Sequence, residues 1–168
     1  MDDLDDMDHR IVTALRACGT DPRVAGAARA LSWAGEHGAL WLAAGLTAAA
    51  VDAPRRTAWL RGTALTAGAH VVSMGVKRVV RRPRPTHVVP LVRTAGRHSF
   101  PSSHATSATA AAVVFGALGV RAAWPLAGAV CASRLVVGVH YPSDVAAGAV
   151  LGALTARLGA DWMRGGTR

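Results

Sequence analysis

Two cysteines are all that the 168 residues contain, Cys18 and Cys131, far apart in an Ala-rich chain and without CxxC spacing. Neither a metal knuckle nor a disulfide framework can be built from them, and both read as small packing residues. Acidic residues are scarce too, with 10 Asp and Glu against 19 Lys and Arg. The opening DDLDD run lacks the spaced Gly and Glu of a metal-binding loop, so it reads as a solvated tail. A cleavable export signal is also missing, because the chain opens acidic and has no uninterrupted apolar core there.

Apolar residues and positive charge are what the chain has in excess. A hydrophobic fraction of 51% and a mean hydropathy of +0.27 are high for a water-soluble globule, so lipid is the expected solvent. The basic balance calls for an anionic partner: nucleic acid, lipid headgroups or a phosphorylated substrate. Charge alone does not choose among them.

Residues 1–37 are expected to form an amphipathic helical arm. Ile11, Val12, Leu15, Val24, Ala27, Ala28 and Leu31 recur at helical spacing, with Arg16, Arg23 and Arg29 among the intervening positions. Such a helix either lies at a membrane interface or packs on the rest of the protein, and the pattern does not separate the two. Residues 38–168 hold five apolar stretches near Gly38–Val51, Thr57–Val76, Ser103–Gly119, Ala122–Val139 and Val145–Trp162. Each approaches the length that crosses a bilayer. The expected fold class is therefore all-α: an integral membrane bundle of about five transmembrane helices behind the arm. Ala and Gly dominate the stretches and permit close helix approach in lipid, within one chain or in a homo-oligomer alike.

If the spans alternate in direction, the long link at residues 77–102 and the short HYPSD link emerge on one side. Three polar clusters meet there: KRVVRRPRP from Lys77, FPSSHA from Phe100, and SRLVVGVHYPSD from Ser133. Taken singly, each has a plain structural explanation. Arginines beside membrane helices snorkel, PSS is a helix start with a serine cap, and a lone histidine is usually structural. Jointly they supply two histidines, a carboxylate, several fixed cations and hydroxyls, together with two helix N-termini that attract anions. That set suits phosphoryl transfer through a covalent phosphohistidine.

In their order and internal spacing, the three clusters resemble the signature of the type 2 phosphatidic acid phosphatase (PAP2) family. The matching residues are Lys77 and Arg84-Pro85; Pro101-Ser102-Ser103-His104; and Ser133-Arg134, His140 and Asp144. The resemblance implies a PAP2-like membrane fold and a metal-independent phosphatase without cofactor. It implies that His140 is the nucleophile, Asp144 its orienting partner and His104 the general acid and later base. Lys77, Arg84, Ser102, Ser103 and Arg134 would bind the phosphate. The family usually has Gly where Ser103 stands, although a serine still offers its N–H. The implied substrate is a lipid-linked phosphate and the implied location the bacterial plasma membrane, with membrane lipids and no nucleic acid as partners. The short chain, polar arm and Ala/Arg-rich style are also similar to phosphatases of a polyprenyl-linked sugar phosphate, the decaprenylphosphoryl-5-phosphoribose group, which act in arabinan precursor synthesis. Other expected substrates are phosphatidic acid, phosphatidylglycerol phosphate and polyprenyl pyrophosphates. A non-catalytic protein that binds anionic lipid is the alternative from another class. The missing export signal favours a cytoplasmic active side, while Arg55, Arg56, Arg61 and Arg121 lie toward the opposite side and pull against it. His70, two turns before Lys77, reads as structural or pocket-lining, and His87 and His98 as headgroup contacts or exposed residues.

Overall fold

The computed structural model describes residues 2–94 and 96–165. Met1, Ala95 and residues 166–168, the last three of the segment 38–168, lie outside the described residues. Among the described residues eight α-helices follow one another, with single 3-10 turns at Glu36–Gly38 and Ala53–Arg55: α1 (Asp2–Cys18), α2 (Pro22–Ala34), α3 (Ala39–Val51), α4 (Arg56–Val80), α5 (Ser103–Ala117), α6 (Ala123–Val136), α7 (Pro142–Leu158) and α8 (Ala160–Arg164). Among the described residues the only extended pairing is a single bridge between Pro83 and His98.

Helix α5 is the axis, packed against α4, α6 and α7. From Ala105 to Ala112 it contains only Ala, Ser and Thr, so neighbours can approach it from every side and nearly all of it is buried. Its buried hydroxyls are satisfied one turn back: Thr106 donates to the Ser102 carbonyl at 3.0 Å and Ser107 to the Ser103 carbonyl at 2.9 Å. Helix α7 comes close enough that a Cβ at Gly148 or Gly152 would collide with the Ser102 or Thr106 carbonyl. Near the C-terminal end of α5, Phe115 packs against Trp41 and Trp59, with ring centroids 6.3 and 5.3 Å away. The large apolar side chains thus gather at one end of the axis. The other end is left to polar residues.

Helices α3 to α7 fall on the five expected stretches, and the last stretch breaks at Gly159 before α8. The all-helical expectation holds. The expected crossings do not stand out as such, because no described helix is long and apolar enough to cross a membrane. Helices α3, α5, α6 and α7 have 13 to 17 residues. At about 1.5 Å per residue they fall short of a hydrocarbon core of about 30 Å. Helix α4 has 25 residues but carries Arg56, Arg61, His70, Lys77 and Arg78.

The arm lies on the bundle. Asp21 accepts the Arg23 N–H at 2.7 Å and Pro22 opens α2. Helix α1 rests on α6 and α7, and α2 on α6, burying Val12, Ala25 and Ala28. The arm thus packs on the bundle through these buried positions, while Leu4, Met7 and Val24 stay exposed. Elsewhere Leu46, Leu60, Val71, Val150, Leu154 and Leu158 remain exposed along the helices.

Candidate active site

The polar end of the bundle is built from two helix starts. Pro142 opens α7, and Asp144 in its first turn accepts the Tyr141 N–H on Oδ2 at 2.8 Å. Ser102 caps α5, its Oγ accepting from the Ala105 N–H at 3.4 Å. The two starts are joined directly, because the Ser102 N–H donates to the Asp144 carbonyl at 3.0 Å. Between α6 and α7 the chain reverses at Gly138, whose φ of +73° is a conformation that glycine adopts without strain. That turn presents His140.

His140 is 2% exposed. Its Nδ1 lies 3.5 Å from Asp144 Oδ2 and has no closer hydrogen-bond partner, while Nε2 lies 3.4 Å from Arg84 Nη1. Burial pushes the imidazole down to about 3; Asp144 pulls it upward, and Arg134, Arg84 and Lys77 push it further down. The ring is therefore neutral near pH 7, with the carboxylate favouring the proton on Nδ1 and leaving a lone pair on Nε2. Burial by itself would raise the Asp144 carboxyl. Its contacts with His140, the Tyr141 N–H and Arg82 outweigh that and hold it below the usual range.

A cavity of about 110 Å³ opens in front of this ring, lined by His140, His104, Lys77, Arg84, Arg134 and Ser103, with His70, Glu36 and His37 also on its wall. Lys77 Nζ donates to the His98 and Ser99 carbonyls, both at 3.2 Å. Arg84 donates to the Gly96 and Val139 carbonyls, both at 2.8 Å. Arg134, 2% exposed, donates through Nη1 to Ser32 Oγ, and its Nε is buried without a partner. Among the described residues none of these three cations makes an ion pair with a carboxylate. Removing cations from water without a counter-charge is costly. An oxyanion in the cavity would supply what Arg134 Nε and its neighbours lack.

His104 faces the same cavity. Its Nε2 donates to the Ser32 carbonyl at 3.0 Å and lies 3.9 Å from Glu36 Oε2, which leaves Nδ1 as the nitrogen free to exchange a proton. Ser102 is not among the residues lining the cavity. It is fully buried, and both its N–H and its Oγ are engaged in the helix junction rather than turned to the cavity.

Behind Asp144 the surroundings reverse sign. Arg82 Nη1 donates to Asp144 Oδ1 at 3.1 Å and to Ser143 Oγ at 2.6 Å; its Nη2 donates to Asp8 at 2.9 Å and to Asp5 at 3.2 Å. The guanidinium also lies over the Tyr141 ring, 4.2 Å from its centroid. Asp8, 2% exposed, accepts the Ser143 N–H at 3.0 Å and is bonded by the Ser143 hydroxyl as well. The acidic opening is thus not simply a solvated tail, for Asp5 reaches Arg82 and its neighbour Asp8 is buried against α7.

Sequence reasoning passed over Ser32, Glu36, His37, Asp8 and Arg82. Ser32 holds both Arg134 and His104, yet a serine in an apolar helix gives no signal. Glu36 and His37 had one, a charged pair bracketed by glycines in GEHG. His70 does line the cavity, its Nδ1 2.9 Å from Ser107 Oγ. His87 stacks on Tyr141 and packs near His9, and His98 contributes its carbonyl to Lys77.

Residues 57–168 match the model of the PAP2 superfamily. The chain is 45% identical over 141 residues to a decaprenylphosphoryl-5-phosphoribose phosphatase of Mycolicibacterium smegmatis, covering 82% of this chain and 78% of the relative. It is 42% identical over 147 residues to the phosphatase of the same name from Mycobacterium tuberculosis, covering 85% and 83%. The fold is similar to the crystal structure of a transmembrane PAP2 type phosphatidylglycerolphosphate phosphatase from Bacillus subtilis. The TM-score is 0.81 at 22% identity, over 100% of this chain and 90% of the other.

Proposed function

The chain belongs to the PAP2 superfamily, and we propose that it is a membrane phosphatase that removes the phosphomonoester of a polyprenyl-linked sugar phosphate, decaprenylphosphoryl-5-phosphoribose. The observation that carries the chemistry is the neutral, buried His140 whose Nε2 faces a cavity ringed by three cations without carboxylate partners among the described residues.

The steps follow from those positions. Phosphate oxygens bind to Lys77, Arg84, Arg134 and the Ser103 N–H, the charge complement that phosphoryl transfer needs most. His140 Nε2 then forms a bond to phosphorus as the bond from phosphorus to the sugar oxygen breaks, and His104, which takes up a second proton on Nδ1 as the phosphate brings its negative charge into the site, gives that proton to the departing oxygen. Asp144 stabilises the positive charge that grows on His140, which requires the 3.5 Å gap to close by a few tenths of an ångström. In the second half His104 takes a proton from water, the water oxygen displaces Nε2, and inorganic phosphate leaves. Ser102 acts by fixing the start of α5 rather than by touching the phosphate.

Three things support the lipid-linked sugar. The curated relatives carry that substrate in their names. Glu36 at the cavity wall is a hydrogen-bond acceptor suited to sugar hydroxyls and unsuited to a second phosphate group. Exposed apolar side chains on α3, α4 and α7 suit a lipid environment, with helices shorter than a full bilayer accommodated by local thinning and by snorkelling of flanking side chains. On this reading the segment 38–168 is the embedded catalytic unit and residues 1–37 its docked arm, with the active side toward the cytoplasm.

The test is phosphate release by purified protein from a polyprenylphosphoryl phosphoribose, phosphatidic acid, phosphatidylglycerol phosphate and a polyprenyl pyrophosphate, beside the His140→Ala variant. Preference for the first substrate and a silent variant are expected. A clear preference for any other lipid overturns the substrate. Turnover retained in His140→Ala overturns the mechanism and leaves an anionic-lipid binder as the better description.

A further inference from the structure

Arg82 and Arg84 stand two residues apart in RRPRP with equal apparent claims on a phosphate, yet the fold assigns them opposite tasks. Arg84 enters the cavity without a carboxylate partner. Arg82 is saturated by three carboxylates, and one of them, Asp8, comes from the arm. We propose that Asp8, acting through Arg82, is a positioning residue of the reaction, fixing the plane in which the Asp144 carboxylate meets His140; this rests on the phosphohistidine reading above.

The geometry supports a strut rather than a loose surface pair. The Asp144 carboxylate has one oxygen held by the Tyr141 N–H at 2.8 Å and the other by Arg82 at 3.1 Å, so rotation about its last bond is blocked from both sides. Arg82 is itself held by Asp8 at 2.9 Å and by the Tyr141 ring beneath it. Asp8 closes the loop by accepting the Ser143 N–H at 3.0 Å, which ties it to the same helix turn that carries Asp144. With Asp8 removed, Arg82 keeps its charge but loses the anchor that aims it. Asp144 is then free to turn toward Arg82 and away from Nδ1, to which it is bound by no short contact. A planar fork is needed to bridge two carboxylates, so lysine should not replace Arg82.

The experiment measures kcat and KM on a polyprenylphosphoryl phosphoribose in detergent micelles, with melting temperatures in parallel, for Asp8→Asn, Asp8→Ala, Arg82→Lys and the Asp8→Asn/Arg82→Lys double variant. Val12→Ala, which loosens the docked arm without touching the strut, controls for general loss of packing. Asp8→Ala is expected to lower kcat roughly 10- to 100-fold with KM within about threefold. Asp8→Asn should lie between it and wild type. The double variant should be little worse than the worse single one, because both changes break the same linkage. Val12→Ala should lower the melting temperature and leave kcat unchanged. Unchanged kcat in both Asp8 variants, a kcat loss shared by Val12→Ala, or fully multiplicative single effects would each overturn the proposal. If Asp8→Ala does not fold, the Asp8→Asn and Arg82→Lys values decide alone. The two ideas fail differently. An inactive wild type or an active His140→Ala removes the phosphohistidine reading and the strut with it. A silent Asp8 series in an enzyme that depends on His140 removes only the strut.

Discussion

His140 and Asp144 form a boundary between two differently balanced regions. On the cavity side Lys77, Arg84 and Arg134 are held by carbonyls and a serine, never by a carboxylate among the described residues, so their charge is uncompensated. On the arm side a single arginine is met by Asp5, Asp8 and Asp144. Arg84 on one side and Arg82 on the other come from the same stretch of link. What separates them is where the counter-charge comes from: the fold supplies it behind Asp144 and leaves it to the substrate in front. Uncompensated charge serves binding at the expense of stability, and compensated charge does the reverse.

Substituting the cavity side should produce the largest change. Arg134→Met is expected to lower phosphate release by about 10³-fold while the melting temperature stays level or rises, since a buried charge without a partner has been removed. A large fall in melting temperature would break the comparison. The mirror experiment is Arg82→Met, which leaves Asp8 and Asp144 buried without their cation. It should destabilise the fold by roughly 3–5 kcal/mol, read by chemical denaturation, with a smaller loss of turnover than Arg134→Met. Orthovanadate, a phosphate mimic, should raise the melting temperature of wild type by binding the folded state. That rise should vanish in Arg134→Met and persist in Asp8→Asn.

A pH titration of stability sharpens the boundary itself. His140 has an ordinary value of 6.5 and about 3 in the folded chain. Between those values the unfolded chain binds a proton that the folded one refuses, so stability falls as pH drops through that window. Asp144 adds to the loss lower down: its folded value lies below its ordinary 3.8, so the stability it contributes is present above 3.8 and is lost as the pH falls further. His140→Asn should make the melting-temperature slope between about 6.5 and 3 shallower, and an unchanged slope would exclude His140 as a source of it. The smallest effect belongs to the cavity wall. Glu36→Gln should reduce the preference for a sugar phosphate over phosphatidic acid by about threefold to tenfold, and an unchanged ratio would remove Glu36 from substrate choice.

The sequence makes one of these regions far easier to read than the other. Lys77, Arg84, Ser103, His104, Arg134, His140 and Asp144 announce themselves because their spacing is set by the starts and ends of helices, and spacing is visible in a sequence. The apolar stretches that became α3 to α7 are visible for the same reason. The arm's role is not, because Asp8 reaches Ser143 across 135 positions and nothing local distinguishes it from Asp3 or Asp6. Ser32 is hidden likewise, a small polar residue whose two partners lie more than 70 positions away. Ser102 was legible as a helix cap and as a phosphate contact. Its direct bond to Asp144 was not, because a backbone-to-backbone bond between helices leaves no trace in side-chain pattern.

That bond, from the Ser102 N–H to the Asp144 carbonyl at 3.0 Å, has a consequence for how such a site is inherited. The spacing between His104 on α5 and Asp144 on α7 is written in a main-chain N–H and a carbonyl, a pair that every amino acid except proline supplies. Side chains around the cavity can therefore be exchanged while His104 and Asp144 keep their mutual distance. Change is cheap at the wall and costly at this junction, where a proline at position 102 would part the starts of α5 and α7.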